Sequence, residues 1–198
     1  MVRADSNIQT LDDLSGHTVS IGAEESGTER NATQILEFAG MPSSLVATKN
    51  LDYIEATKEL KAGDIDAFFC TAGLTTTVID ELSNECDIRL IPLTDTVISK
   101  MLESSLAYTS EVIPAGTYTG QTTDISTIGV KSVLITKADV SDDTIEQLTS
   151  LLFEKENEIS YSNSLKLELT YDFATDDIPI PFHDGAKRYY KACGYSTN

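Results

Sequence analysis

The stretch from Gly22 to Asn31 carries the residue types best suited to holding a ligand. An apolar run stops at Gly22, a short acidic turn follows, and a helical pattern opens at Ser26-Gly27-Thr28. A helix start presents unpaired backbone N–H groups and the positive end of the peptide dipoles. The hydroxyls of Ser26 and Thr28 add to it, and together they suit an anion such as a carboxylate. A plainer reading stands beside it, in which Ser26 only caps the helix. Glu24 and Glu25 must point away if an anion is to approach. A second segment of the same kind is Cys70-Thr71-Ala72-Gly73-Leu74, with a helix expected from Thr75. In a parallel sheet both turns lie on the edge where ligands bind. The plainer reading here is an ordinary connecting loop.

Enzyme chemistry finds little to use. The sequence has no Gly-x-Ser-x-Gly, no P-loop and no Gly-x-Gly-x-x-Gly. Its two histidines, His17 and His183, have no evident nucleophile beside them. The three cysteines, Cys70, Cys86 and Cys193, lack metal-ligand spacing, so neither zinc nor any other cofactor is expected. Cys70 follows Ala67-Phe68-Phe69 and reads as a small core residue.

These segments need a frame. Residues 17–21 alternate in the manner of a strand, and in residues 28–39 Ala32, Ile35, Leu36 and Ala39 recur at helical spacing. Gly40 and Pro42 then end the helix. A second helix is expected over Tyr53 to Ala62, with Ile54, Thr57, Leu60 and Lys61 on one face. Residues 65–70 read as a strand buried on both faces. A helix over 75–83, a strand over 88–93 and a helix from Thr94 follow. Alternating strands and helices over 17–104 imply an α/β lobe, a parallel sheet with helices on both faces. Residues 105–124, rich in Ser, Thr, Gly and Tyr, read as a loop or hinge. A long strand over 126–136 and a helix from about Ser141 to Glu156 come next. Residues 179–186 read as extended, and 187–193 as a short helix capped by Gly194.

The chain has 198 residues, 32 acidic and 14 basic, for a net charge of -18. Such acidity repels phosphate backbones and anionic lipid, and the densest basic spot is only Lys187-Arg188 with Lys191. No nucleic-acid partner is expected. No stretch approaches the ~20 apolar residues of a membrane span, and the polar start Met1 to Ser6 is no signal peptide.

Six segments, in order, resemble a known family. Residues 8–22 (IQTLDDLSGHTVSIG) resemble I-x-T-L-x-D-L-x-G-K-x-V-x-V-G, with His17 at the K and Ile21 at the second V, and Ser26-Gly27-Thr28-Glu29 matches S-G-T-E. Residues 61–69 (KAGDIDAFF), 89–93 (RLIPL), 113–121 (IPAGTYTGQ) and 181–190 (PFHDGAKRYY) resemble K-x-G-x-I-D-A-F-F, R-L-L-P-L, I-P-A-G-T-Y-x-G and P-L-H-P-G-A-x-x-Y-Y, differing at Ile91, Phe182 and Asp184. The set resembles the TAXI family of solute receptors, which serve tripartite ATP-independent periplasmic (TRAP) transporters.

The resemblance implies a type 2 periplasmic-binding-protein fold and an extracytoplasmic place of work. It implies a small anionic solute, an amino acid such as glutamate or another carboxylate, passed to TRAP permease subunits. In the solute-binding reading Ser26, Gly27 and Thr28 hold the carboxylate, Thr71, Ala72 and Gly73 line the same wall, and Tyr118 near the hinge either covers it or is plain packing. The resemblance divides the chain into a lobe over 1–120 and a return segment over 121–198 toward an incomplete first lobe. Two departures stand out: Gly73-Leu74-Thr75 lacks the family's glycine-proline, and a segment that members carry before Met1 is missing. The unpartnered return segment is then expected to drive self-association. The alternatives are an enzyme or sensor domain reusing the fold, or a truncated chain that binds nothing.

Overall fold

The computed structural model describes residues 1–154 and 169–197. It divides into two units, Met1–Gly129 and Val130–Asn198.

The first unit is built on a five-stranded sheet. The strands are β1 (Val2–Arg3), β2 (Thr18–Ser20), β3 (Ala47–Lys49), β4 (Ala67–Phe68) and β5 (Ile88–Arg89), in the order β3-β2-β4-β1-β5. Strand β2 pairs parallel with β3 and β4. The helices are α1 (Gly27–Phe38), α2 (Tyr53–Ala62), α3 (Thr77–Glu85) and α4 (Asp95–Ser104), and Asp12–Leu14 forms one 3-10 turn. The class is therefore the expected α/β. Neighbouring residues of β4 show the two-sided burial: Ala67 packs in a cluster with Val2, Val19, Leu36 of α1 and Met101 of α4, while Phe68 packs with Leu60 of α2 and Leu82 of α3.

Several expectations are corrected. The sheet is not wholly parallel. Strand β1 lies between β4 and β5 and runs antiparallel to both, with Val2 opposite Ala67 and Arg89. The strands expected over 65–70 and 88–93 shorten to two residues each. The α3 helix starts at Thr77 rather than Thr75, because Thr75 has φ of 57°. The buried face of α2 is Ala56 and Leu60, and Ile54 is 61% exposed. Asp52 caps that helix in a reciprocal capping box with Glu55, so Ile54 falls in the first turn.

Residues 105–124 are not all loop. Tyr108–Ile113 forms β6, which pairs with β7 (Ile125–Val130) in a separate two-stranded sheet. The strand expected to reach residue 136 ends at Val130.

The second unit holds α5 (Asp142–Glu154), α6 (Tyr171–Thr175) and α7 (Asp184–Ala192). The last two residues of the helix expected to Glu156 lie outside the described residues. Residues 184–186, expected as extended, open α7 instead, because the imidazole of His183 accepts the Gly185 N–H at 3.1 Å and so caps the helix. Gly185 lets α7 meet the start of α5: a Cβ there would stand 2.2 Å from the Asp142 carbonyl oxygen. Phe153, Tyr171, Tyr189 and Tyr190 pack ring against ring in this unit.

Candidate functional site

The turn after β2 is shaped by one close approach. Gly22 has φ of 103°, and a Cβ there would lie 2.7 Å from Thr28 Cβ. The turn folds tightly enough to bury Thr28, which is 6% exposed. Ser26 Oγ accepts the Glu29 N–H at 3.1 Å, and its carbonyl accepts the Arg30 N–H. Ser26 is thus the N-cap, and its hydroxyl oxygen is engaged within the turn. Of the amides that a helix start leaves without an intrahelical partner, those of Gly27 and Thr28 remain beyond these bonds.

The carboxylate of Glu29 braces the turn. It accepts the Glu25 N–H at 2.6 Å and the Asn50 side-chain amide at 2.8 Å. Glu24 and Glu25 are exposed. A depression of about 720 Å3 along α1 is lined by Ser26 and by Glu25, Glu29 and Glu37 against the single cation Arg30. Three carboxylates make that face a poor home for an anion. An anion would have to approach from the inner side, toward the loop after β4.

On that side a cluster of neutral polar groups joins four segments. The phenol of Tyr53, in the first turn of α2, lies 2.6 Å from Thr28 Oγ1. It also donates to the Thr71 carbonyl at 2.9 Å and accepts the Thr71 N–H at 3.1 Å. Asn31, one turn into α1, donates its amide to Thr71 Oγ1 at 3.3 Å. The other end of that amide accepts the Tyr108 hydroxyl of β6 at 2.8 Å. The structure therefore brings Thr28 and Thr71 together, with Tyr53 between them. Thr71, Ala72 and Gly73 are exposed on this edge.

Tyr118 is buried, 5% exposed. Burial raises its phenol pKa, and the nearby backbone N–H groups of Thr76 and Thr75 pull it partly back. Its ring is packed at the start of α3. Cys70 borders the cluster, and burial pushes its thiol up to about 11, with the Tyr53 hydroxyl opposing the rise. His17 is at the other end of β2, where its Nδ1 meets the Asp66 carboxylate at 3.1 Å. Among the described residues no group of three or more His, Cys, Asp or Glu stands together as metal ligands.

Sequence reasoning missed Tyr53, Asn31 and Tyr108. Tyr53 and Tyr108 lie outside all six matched segments, and no spacing rule points to them. The available signal was weak: an aromatic residue straight after the helix cap Asp52, and a Tyr in a run otherwise rich in Ser and Thr.

Among solved structures this chain is similar to the periplasmic aliphatic sulphonate binding protein SsuA from Escherichia coli. The identity is 17% and the TM-score 0.47; the match covers 79% of this chain and 45% of that one. The chain thus spans less than half the length of that protein. No helix among the described residues is long and apolar enough to cross a membrane. A family model matches residues 1–194, nearly the whole sequence, and by that match the chain belongs to the NMT1-like family.

Proposed function

We propose that this chain is the ligand-gripping part of an extracytoplasmic solute-binding receptor and performs no catalysis. The observation that carries the reading is the meeting of two strand-to-helix turns on one sheet edge, tied by Tyr53 between Thr28 and Thr71. Membership of the NMT1-like family supports it, and so do the six ordered motifs. The solute is a small anion, an amino acid such as glutamate or another carboxylate. Its charge rests on the Gly27 and Thr28 amides. Ser26 acts as the cap that aims those amides, and the exposed run Thr71, Ala72, Gly73 lines the wall. Tyr118, buried beside Thr75 and Thr76, takes the packing role rather than that of a cover. The permease served is of the TRAP kind, a finer reading resting on the motifs alone. The lobe runs over 1–120, and 121–198 returns toward a first lobe.

A thermal-shift series with glutamate and dicarboxylates tests this. A solute binding only the native state adds about 2.7 kcal/mol at a hundredfold excess over Kd. At about 2–4 °C per kcal/mol for a chain of this size, the melting temperature rises by about 5–10 °C. A flat response to every carboxylate removes the carboxylate-binding reading for this chain.

A further inference from the structure

Thr71 is an exposed loop residue whose polar groups are all held by neighbours. Its N–H and its carbonyl both bond to the one phenol of Tyr53, at 3.1 and 2.9 Å. Its hydroxyl oxygen receives the Asn31 amide at 3.3 Å. Exposed loops seldom tie up main chain and side chain together, because ordering them costs entropy. The holding groups sit on rigid elements: Tyr53 follows the capping box of α2, and Asn31 lies within α1.

With the Asn31 amide nitrogen facing Thr71, the contacts around Tyr53 and Thr71 set the protons of the cluster. A phenol has a single proton to give. The backbone N–H of Thr71 must donate to Tyr53, and the Thr71 carbonyl must accept from it. The Tyr53 proton is then committed, so the 2.6 Å contact is donated by Thr28. The Tyr108 hydroxyl, which also lies 3.2 Å from Gln34 Oε1, makes its shorter contact with Asn31 Oδ1 at 2.8 Å, and the Asn31 NH2 faces Thr71. Thr71 thus accepts from Asn31 and keeps its own hydroxyl proton to give.

We propose that Tyr53 and Asn31 are positioning residues of the candidate site, holding Thr71 so that its hydroxyl proton is presented to a solute acceptor atom beside the amides of Gly27 and Thr28. This rests on the solute-binding reading above. It adds a specific requirement: the solute carries an acceptor on the side facing Thr71, and that contact depends on a tyrosine that need not touch the solute.

Titration calorimetry with L-glutamate on the wild-type chain, Tyr53→Phe, Thr71→Val, Thr71→Ser and the double variant Y53F/T71V tests the requirement. Y53F and T71V each weaken binding about tenfold, the worth of one hydrogen bond. T71S keeps the wild-type affinity, because the hydroxyl remains. The double variant binds no more weakly than T71V alone, since Tyr53 acts through Thr71. Unchanged binding in Y53F, or additive losses in the double variant, overturns the proposal. Hydrogen exchange separates this from the solute reading. In unliganded Y53F, amides over 69–76 and 22–29 exchange faster while those of β2 and β4 hold their rates. If wild type shows no binding of glutamate, the solute reading fails for glutamate and exchange decides on Tyr53: equal rates in Y53F and wild type overturn its positioning role, and acceleration in both segments supports it.

Discussion

Replacing Gly22 by alanine should destabilise the first unit through two separable effects. The first is backbone strain: φ of 103° is a conformation that residues with a Cβ resist, at a cost of about 1–2 kcal/mol. The second is collision. The new methyl would lie 2.7 Å from Thr28 Cβ, 2.8 Å from Thr28 Cγ2 and 3.1 Å from the Glu29 nitrogen. The near atoms belong to a short branched side chain and to backbone, so they yield poorly, and overpacking of this kind costs about 1–3 kcal/mol. Gly16→Ala isolates the first effect, because Gly16 has φ of 80° with open space around it. The two variants, melted side by side and followed by far-UV circular dichroism, should differ by about 1–3 kcal/mol. At about 2–4 °C per kcal/mol, G22A melts at least about 2 °C below G16A. G22A should also speed exchange at the Thr71 amide, since moving Thr28 disturbs its 2.6 Å contact with Tyr53. Adding Thr28→Ser recovers part of the loss by removing Cγ2. Coincident melting of G22A and G16A would refute the close-approach argument.

Three further outcomes are expected. Ser20 is 1% exposed and its hydroxyl has no partner among the described residues, so Ser20→Ala leaves stability unchanged or raises it by up to about 1 kcal/mol; a loss of that size in urea unfolding would reveal a hidden partner. Burial raises the Cys70 thiol to about 11 from an ordinary 9.0, so in timed alkylation at pH 8 with mass-spectrometric readout the exposed Cys193 labels first and Cys70 last. The same shift sets a sign: the folded state disfavours the Cys70 thiolate, so its contribution is intact below pH 9 and stability falls as pH rises above that, and Cys70→Ala flattens the alkaline limb of a pH–stability profile. The exposed run Val133, Leu134 and Ile135, at 40, 69 and 74%, should make the chain self-associate at micromolar concentration, and sedimentation velocity on a triple serine variant should return a monomer; a monomeric wild type would sink that expectation.

The elements that sequence patterns could locate are those whose cause is local. Ser26 was readable as a helix start, and it caps α1 by its own side chain. Gly63 closes α2 in the left-handed conformation that favours glycine. Ala32, Ile35 and Leu36 recur at helical spacing and are buried together. Each of these follows from residues within a few positions of one another. Ile54 counts as apolar by type, yet the buried face of α2 is Ala56 and Leu60, and the capping box at Asp52 fixes only where the helix begins.

The remaining features depend on partners distant in the chain. Val2 has no periodic pattern around it, yet it pairs with Ala67 and Arg89 across long stretches of sequence. A two-residue strand is too short to announce itself, and the antiparallel insertion exists only because β4 and β5 leave a lane between them. Tyr108 looks like loop composition and becomes strand through pairing with β7. The candidate site shows the same division. Sequence alone determined that turns at Ser26 and Thr71 would fall on one sheet edge, because connection rules in α/β sheets are general. Tertiary structure alone decided that the Ser26 hydroxyl oxygen is engaged within its own turn and that Tyr53 joins Thr28 to the Thr71 backbone. A phenol finds its partners by where packing carries its ring, and no spacing within the sequence records that place.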